Sequence, residues 1–260
     1  MNAGTAANQS DLTFVLVHGA CHGAWCWTRV EDGLKSRGWS VSALELPLTS
    51  LVEDAHFARE AIDEIRSRGE RVVVVGHSYG GVVISEAGHA ANALVYVAGT
   101  MPDANESATA LIPRLAPPEL AAAVVVSEDG LDASIHPGRA TAAFYNRCSL
   151  GDARWAIERL RPMRLLTLQQ PIGQPAWKSV DASYIVCSDD RAMRPDYQME
   201  CARVLGNFVV LDSDHSPFIC CVDELVERLE RVALGATERP ASVRLSGVEA
   251  GLRDVPKVAM

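Results

Sequence analysis

Short apolar runs recur along the chain, each closed by glycine, proline or a polar turn, and each followed by a stretch with helical spacing of apolar residues. Leu12–His18 (LTFVLVH), the four valines after Arg71, Ala93–Ala98 (ALVYVA) and Ala182–Cys187 (ASYIVC) are too short and too rich in β-branched residues for helices. With little or no polar alternation, they predict strands buried on both faces, as in a parallel sheet. Trp39–Leu46, closed by Pro47, and Asn207–Leu211 (NFVVL) complete the set. Between them, a helix from about Trp25 to Arg37 carries Trp27, Val30 and Leu34 on one face, and Thr49–Gly69 carries Ala55, Ala58, Ile62 and Ile65. Gly81–Ala91, Arg194–Leu205 and Val222–Leu234 are further helices. This alternation predicts an α/β fold with a mostly parallel, doubly covered sheet, whose ligands bind at the carboxyl ends of the strands.

The rhythm breaks between residues 101 and 180. Nine positions from Met101 and Pro102 to Pro175 punctuate short helical pieces such as Pro118–Val126 and Leu150–Leu160. A stretch this long without strands reads as a helical cap inserted over the site. Its apolar residues, Phe144, Tyr145 and Trp155 among them, divide between pocket wall and cap core. The core is then 12–100 and 181–235, with residues 1–11 a flexible leader and 236–260 a polar C-terminal extension.

Composition narrows the partners. A chain of 260 residues, 48% hydrophobic, suits one such domain. A net charge of -9 argues against nucleic acid or an anionic membrane surface, which require clustered Lys and Arg. The leader lacks the basic and apolar segments of a signal peptide, and no apolar run is long enough to span a bilayer. Seven cysteines without framework or metal-ligand spacing read as reduced thiols of a soluble, cytoplasmic protein. No metal or organic cofactor is called for, and a homodimer is compatible with the chain.

The chemistry gathers on loops after strands. Arg71–Gly81 (RVVVVGHSYGG) runs from a strand into Gly76-His77-Ser78-Tyr79-Gly80, a G-x-S-x-G turn that holds Ser78 in a strained backbone with its hydroxyl at the sheet edge. Ser78 is the candidate nucleophile. Gly19-Ala20-Cys21-His22-Gly23, after the first strand, can aim backbone N–H groups at the same place, which makes Ala20 and Tyr79 N–H the candidate oxyanion donors. His18 and His22 on this loop orient backbone more readily than they transfer protons. Asp189 and Asp190 compete for the acid beyond Ala182–Cys187. His215, on the loop after Asn207–Leu211, is the candidate base; the order Ser, Asp, His suits this fold.

These segments resemble the α/β-hydrolase fold and, within it, the branch of plant methyl-salicylate esterases and hydroxynitrile lyases. The carriers are FVLVHGACHGAWCW (Phe14–Trp27), VVGHSYGG (Val74–Gly81), YIVCSDDRAM (Tyr184–Met193) and Asp214-His215-Ser216-Pro217-Phe218. The resemblance implies a Ser78–His215–Asp190 triad, with Asp190 in place of Asp189, and Ala20 and Tyr79 as oxyanion donors. The lyases carry Thr where Gly19 stands and Lys where Ser216 stands, so an esterase acting on a small apolar or aromatic ester or lactone is expected. A hydroxynitrile-lyase-like enzyme and a ligand-binding protein on a hydrolase scaffold are the alternatives.

Overall fold

The computed structural model describes residues 11–238. In chain order the core begins with β1 (Leu12–Val17), α1 (Thr28–Ser36), β2 (Ser40–Leu44), α2 (Leu51–Ser67), β3 (Arg71–His77), α3 (Gly80–Ala87) and β4 (Ala93–Val97). An intervening segment carries α4 (Ala108–Leu115), α5 (Pro118–Ala123), β5 (Val124–Val126), β6 (Asp132–Ile135), α6 (Pro137–Phe144), α7 (Leu150–Ile157), β7 (Met163–Arg164) and α8 (Leu166–Gln169). The core then resumes with β8 (Ala182–Cys187), α9 (Pro195–Leu205), β9 (Phe208–Leu211), α10 (Pro217–Cys220) and α11 (Val222–Glu238).

Six strands form one sheet in the order β2-β1-β3-β4-β8-β9, and each neighbouring pair is parallel. The valines of β3 show why the run carries no polar residue. Val72 and Val74 belong to one hydrophobic cluster, with α2, α3 and α9, while Val73 and Val75 belong to a second, with α1 and α11. Both faces are covered, so both must be apolar. The α2 helix starts where Ser50 accepts the Glu53 N–H, and Leu51, Ala55, Ala58, Ile62 and Ile65 form its buried stripe.

The segment between β4 and β8 is not wholly helical. The helix expected over Pro118–Val126 stops at Ala123, and Val124–Val126 become β5, paired antiparallel with β6, which pairs antiparallel with β7. Three consecutive β-branched residues lose rotamer freedom in a helix and keep it in a strand, and β6 offers the partner. This segment lies against the carboxyl ends of the core strands. Arg161 N donates to Cys21 O (3.0 Å), Arg164 N to Leu48 O (2.9 Å) and Asn146 Nδ2 to Asp189 O (3.1 Å). Apart from Asp11 and the last turn of α11, the leader and the extension lie outside the described residues. Among the described residues no helix is long and apolar enough to cross a membrane.

Candidate active site

Ser78 follows β3 directly and has φ +52°, a left-handed conformation that a non-glycine residue keeps only when its surroundings enforce it. The enforcement is visible. Ser78 N donates to Val97 O of β4 (3.2 Å), and Ser78 O accepts from both Gly81 N (2.9 Å) and Thr100 N (2.9 Å). The turn is tight enough that a Cβ on Gly76 would stand 2.5 Å from Gly80 O, and one on Gly80 would stand 2.4 Å from Val17 O. Both are below any tolerable contact, so the motif's glycines are set by backbone approach.

The histidine and acid come from the neighbouring strand ends. His215 Nδ1 stands 2.7 Å from Asp190 Oδ2, and both side chains are buried. Asp190 Oδ2 also accepts from Gln198 Nε2 (2.7 Å), while Oδ1 accepts from Ala192 N (2.8 Å) and Met193 N (2.7 Å). Four donors satisfy this carboxylate without water. Gln198 is itself fixed from both ends, because its Oε1 accepts Cys187 N at 2.8 Å. Asp189, one residue earlier, faces outward and meets Asn146 Nδ2 (3.1 Å) and the Arg147 guanidinium (3.7 Å).

His77 joins this pair to the serine turn. Its Nε2 donates to His215 O at 2.8 Å, and the two rings lie 4.6 Å apart. Burial holds the His77 imidazole well below the usual histidine range, with the neighbouring His215 adding to the effect. Phe144, at the end of α6, brings its ring to 5.6 Å from that of His215.

The loop after β1 is fixed by two more imidazoles. His18 Nδ1 lies 2.9 Å from Gly19 O, and Leu46 N donates to its Nε2 at 3.1 Å. His22 Nδ1 lies 2.8 Å from Ala20 O, and its Nε2 lies 2.9 Å from Tyr145 Oη. A carbonyl only accepts, so in both rings Nδ1 carries the proton and Nε2 accepts. Burial pushes His18 down to about 3 and His22 down to about 4, so both are neutral near pH 7. Gly19 C=O and Ala20 N–H share one peptide plane, so the His18 bond also orients that N–H. Among the described residues neither Ala20 N nor Tyr79 N donates to a main-chain carbonyl. Tyr79 is anchored through its hydroxyl, which donates to buried Asp54 (2.7 Å), and Asp54 also accepts Leu48 N (2.8 Å). From the intervening segment, Arg161 Nε donates to His22 O (2.8 Å) and its NH2 group to Leu46 O (2.6 Å).

Ser78, Ala20, Asp190 and His215 thus sit at the carboxyl ends of β3, β1, β8 and β9 in a single sheet. Sequence reasoning missed the braces: Gln198, Asp54, Tyr145, Arg161 and the role of His77. Only His77 had a signal, as the second residue of the turn motif.

A strained serine after a central parallel strand, with a buried His–Asp pair on loops of the same edge, defines a hydrolase of the α/β class. The chain belongs to the alpha/beta hydrolase family, whose profile matches residues 14–228. Its relatives include methylesterases. Methylesterase 7 of Arabidopsis thaliana is 30% identical over 258 residues, covering 85% of this chain and 95% of that protein. Norfluorocurarine synthase 1 of a Strychnos species is 27% identical over 261 residues, covering 85% and 94%. Among solved structures, polyneuridine aldehyde esterase superposes with a TM-score of 0.74 at 22% identity, covering 86% of this chain and all of that one.

Proposed function

We propose that the protein is a carboxylesterase-type serine hydrolase acting on a small apolar or aromatic ester or lactone, with Ser78, His215 and Asp190 as its triad. The observation that carries this reading is the 2.7 Å bond from His215 Nδ1 to buried Asp190, on the sheet edge where Ser78 holds φ +52°. With Nδ1 committed, Nε2 is the nitrogen left to move a proton. In the reaction, Ser78 Oγ attacks the ester carbonyl carbon as His215 Nε2 takes its proton. The oxyanion accepts from Ala20 N–H and Tyr79 N–H; one such donor contributes about 3 kcal/mol to lowering the barrier. Collapse breaks the C–O bond, the leaving alkoxide takes the proton from His215, and the acyl group stays on Ser78. Water, deprotonated by His215, then releases the acid and restores the serine. The seven free cysteines support a cytoplasmic setting.

Cyanohydrin cleavage is less well supported. A Cβ at Gly19 would lie 2.9 Å from Ser78 Cβ and 2.9 Å from His77 Nδ1, so the threonine of the lyases does not fit this turn as it stands. Ser216 supplies no cation.

The test is hydrolysis of p-nitrophenyl acetate and butyrate, with stoichiometric fluorophosphonate labelling, in wild type and Ser78→Ala. Turnover and labelling should both vanish in the variant. A folded wild type that neither labels nor hydrolyses would sink the esterase reading and move the lyase or binding alternative ahead.

A further inference from the structure

Behind the His215 turn lies a group of side chains that ester hydrolysis does not use. Cys148, on the loop between α6 and α7, places Sγ 3.5 Å from Asp214 Oδ2. Cys220, at the end of α10, places Sγ 3.1 Å from Asp214 Oδ1. The three donor atoms lie within 4.8 Å of one another; Asp214 is buried and both thiols are half-buried. Among the described residues this is the one grouping of three Cys, His, Asp or Glu side chains close enough to share an ion. Its chain spacing conceals it, since Cys148 stands far from Asp214 and Cys220 and the fold alone brings them together.

We infer that Cys148, Asp214 and Cys220 form a binding site for one thiophilic divalent cation of the zinc class. The edge lengths carry the first part of the inference. A tetrahedral ion with metal–sulfur bonds of about 2.3 Å and metal–oxygen bonds of about 2.1 Å separates its ligands by about 3.6–3.8 Å. Each sulfur already touches the carboxylate, Cys148 at its Oδ2 and Cys220 at its Oδ1, and one donor atom from each residue lies within 4.8 Å of the other two, so drawing the thiols toward one carboxylate oxygen admits the ion. Two sulfurs and one oxygen select zinc or cadmium over calcium or magnesium. The carboxylate is also oriented in advance. Its Oδ2 accepts Arg147 N (2.8 Å) and its Oδ1 accepts Ser216 N (2.9 Å), the second layer of bonds that holds a metal ligand in place.

Binding breaks the two S–H bonds that now point at Asp214, and the protons leave to the buffer. Two thiolates and a carboxylate outweigh the charge of the ion by one; Arg147, whose main-chain N–H holds Asp214, pairs its guanidinium with Asp212 (2.8 Å) and Asp189 (3.7 Å). Three protein ligands leave a fourth position for water, on the side where the thiols are half-exposed. The ion would pin the 145–149 loop to the turn that carries His215.

The experiment titrates the reduced, metal-free full chain with Cd2+ and follows sulfur-to-cadmium charge-transfer absorption in the ultraviolet. One equivalent should saturate the band, and Zn2+ should displace it. Cys148→Ser and Cys220→Ser should each weaken binding by at least about tenfold, whereas Cys221→Ser should retain the band. Ser78→Ala should bind as wild type does, which separates this site from the esterase reading. A measurement without variants guards against misfolding: bound Cd2+ should protect Cys148 and Cys220 from alkylation, read peptide by peptide. The inference is overturned if wild type shows no band, if the band survives in both serine variants, or if neither cysteine is protected. It is equally overturned if the pair closes to a disulfide under mild oxidation while Cd2+ never binds.

Discussion

The two sides of the site set the same side chain against opposite partners. On the side of β1 and β3, His18, His22 and His77 each face a main-chain carbonyl: Gly19 O, Ala20 O and His215 O. On the side of β8 and β9, His215 faces the Asp190 carboxylate. A carbonyl carries no net charge, so a buried imidazole against it stays neutral and serves as a brace. A carboxylate compensates an imidazolium, so the imidazole against it can accept a proton in a dry place. What each ring touches separates the braces from the proposed base.

Removing the proposed base and its acid while sparing their neighbours should have the largest effect. His215→Gln and Asp190→Asn should each lower kcat for p-nitrophenyl butyrate by about 10^4 or more, the second by presenting a donor where Nδ1–H needs an acceptor. Asp189→Asn, at a surface site one residue away, should stay within about twofold. Equal losses for Asp189→Asn and Asp190→Asn would remove Asp190 from the proposed triad.

The braces are next tested by acid. His18 and His22 titrate at about 3 and about 4 in the fold against 6.5 in the unfolded chain. Their folded values are depressed, so below about pH 6.5 the unfolded state takes up protons that the native state refuses. Their contribution is therefore complete above pH 6.5 and is lost as pH falls toward 4 and then 3. Each should withdraw on the order of 2–3 kcal/mol between pH 7 and pH 4.5. Urea unfolding at the two pH values should show a shallower loss in His18→Gln than in wild type. Identical losses would mean that His18 is not held neutral by the fold.

A smaller effect probes the acid's own support. Gln198→Ala removes one of four donors to Asp190 and leaves Cys187 N without its acceptor, which should cost about 1–3 kcal/mol of stability. Because three donors remain, kcat should fall only about tenfold, with KM unchanged. A fall as large as that of Asp190→Asn would mean that Gln198 alone positions the acid.

The four inner strands were legible because parallel strands covered on both faces leave an apolar record, as the valines of β3 do, whereas β2 and β9 lie at the edges of the sheet and are part-exposed. Ser78 was legible because close backbone approach forces glycine on both sides of it, and the loop after β1 because Gly19 and Gly23 face side chains too near to admit a Cβ. The braces were not. Gln198 reaches Asp190 because α9 packs back on β8, and Tyr145 reaches His22 only once the intervening segment folds over β1. Neither pairing leaves a period or spacing in the chain. Val124–Val126 were misread as helix because the preceding run, Pro118–Ala123, starts one, and the partner that draws the valines into a strand comes only at Asp132–Ile135. Short strands that exist by virtue of a non-local partner are the part of a fold that local pattern misses.

Tyr145→Phe is the finest probe of the brace side. The hydroxyl donates to His22 Nε2 at 2.9 Å, in a place where both rings are buried. Losing it strands one buried acceptor, worth about 1 kcal/mol of stability. The imidazole cannot escape by moving its proton to Nε2, because Nδ1 would then turn a lone pair toward Ala20 O, 2.8 Å away. The tautomer therefore persists, and Arg161, bonded to His22 O, still holds the loop. The Ala20 N–H should shift only slightly, so kcat should fall about threefold while KM and fluorophosphonate stoichiometry stay as in wild type. A loss beyond about a hundredfold would show that Tyr145 touches the reacting atoms itself, and the division between bracing and reacting sides would have to be redrawn through the intervening segment.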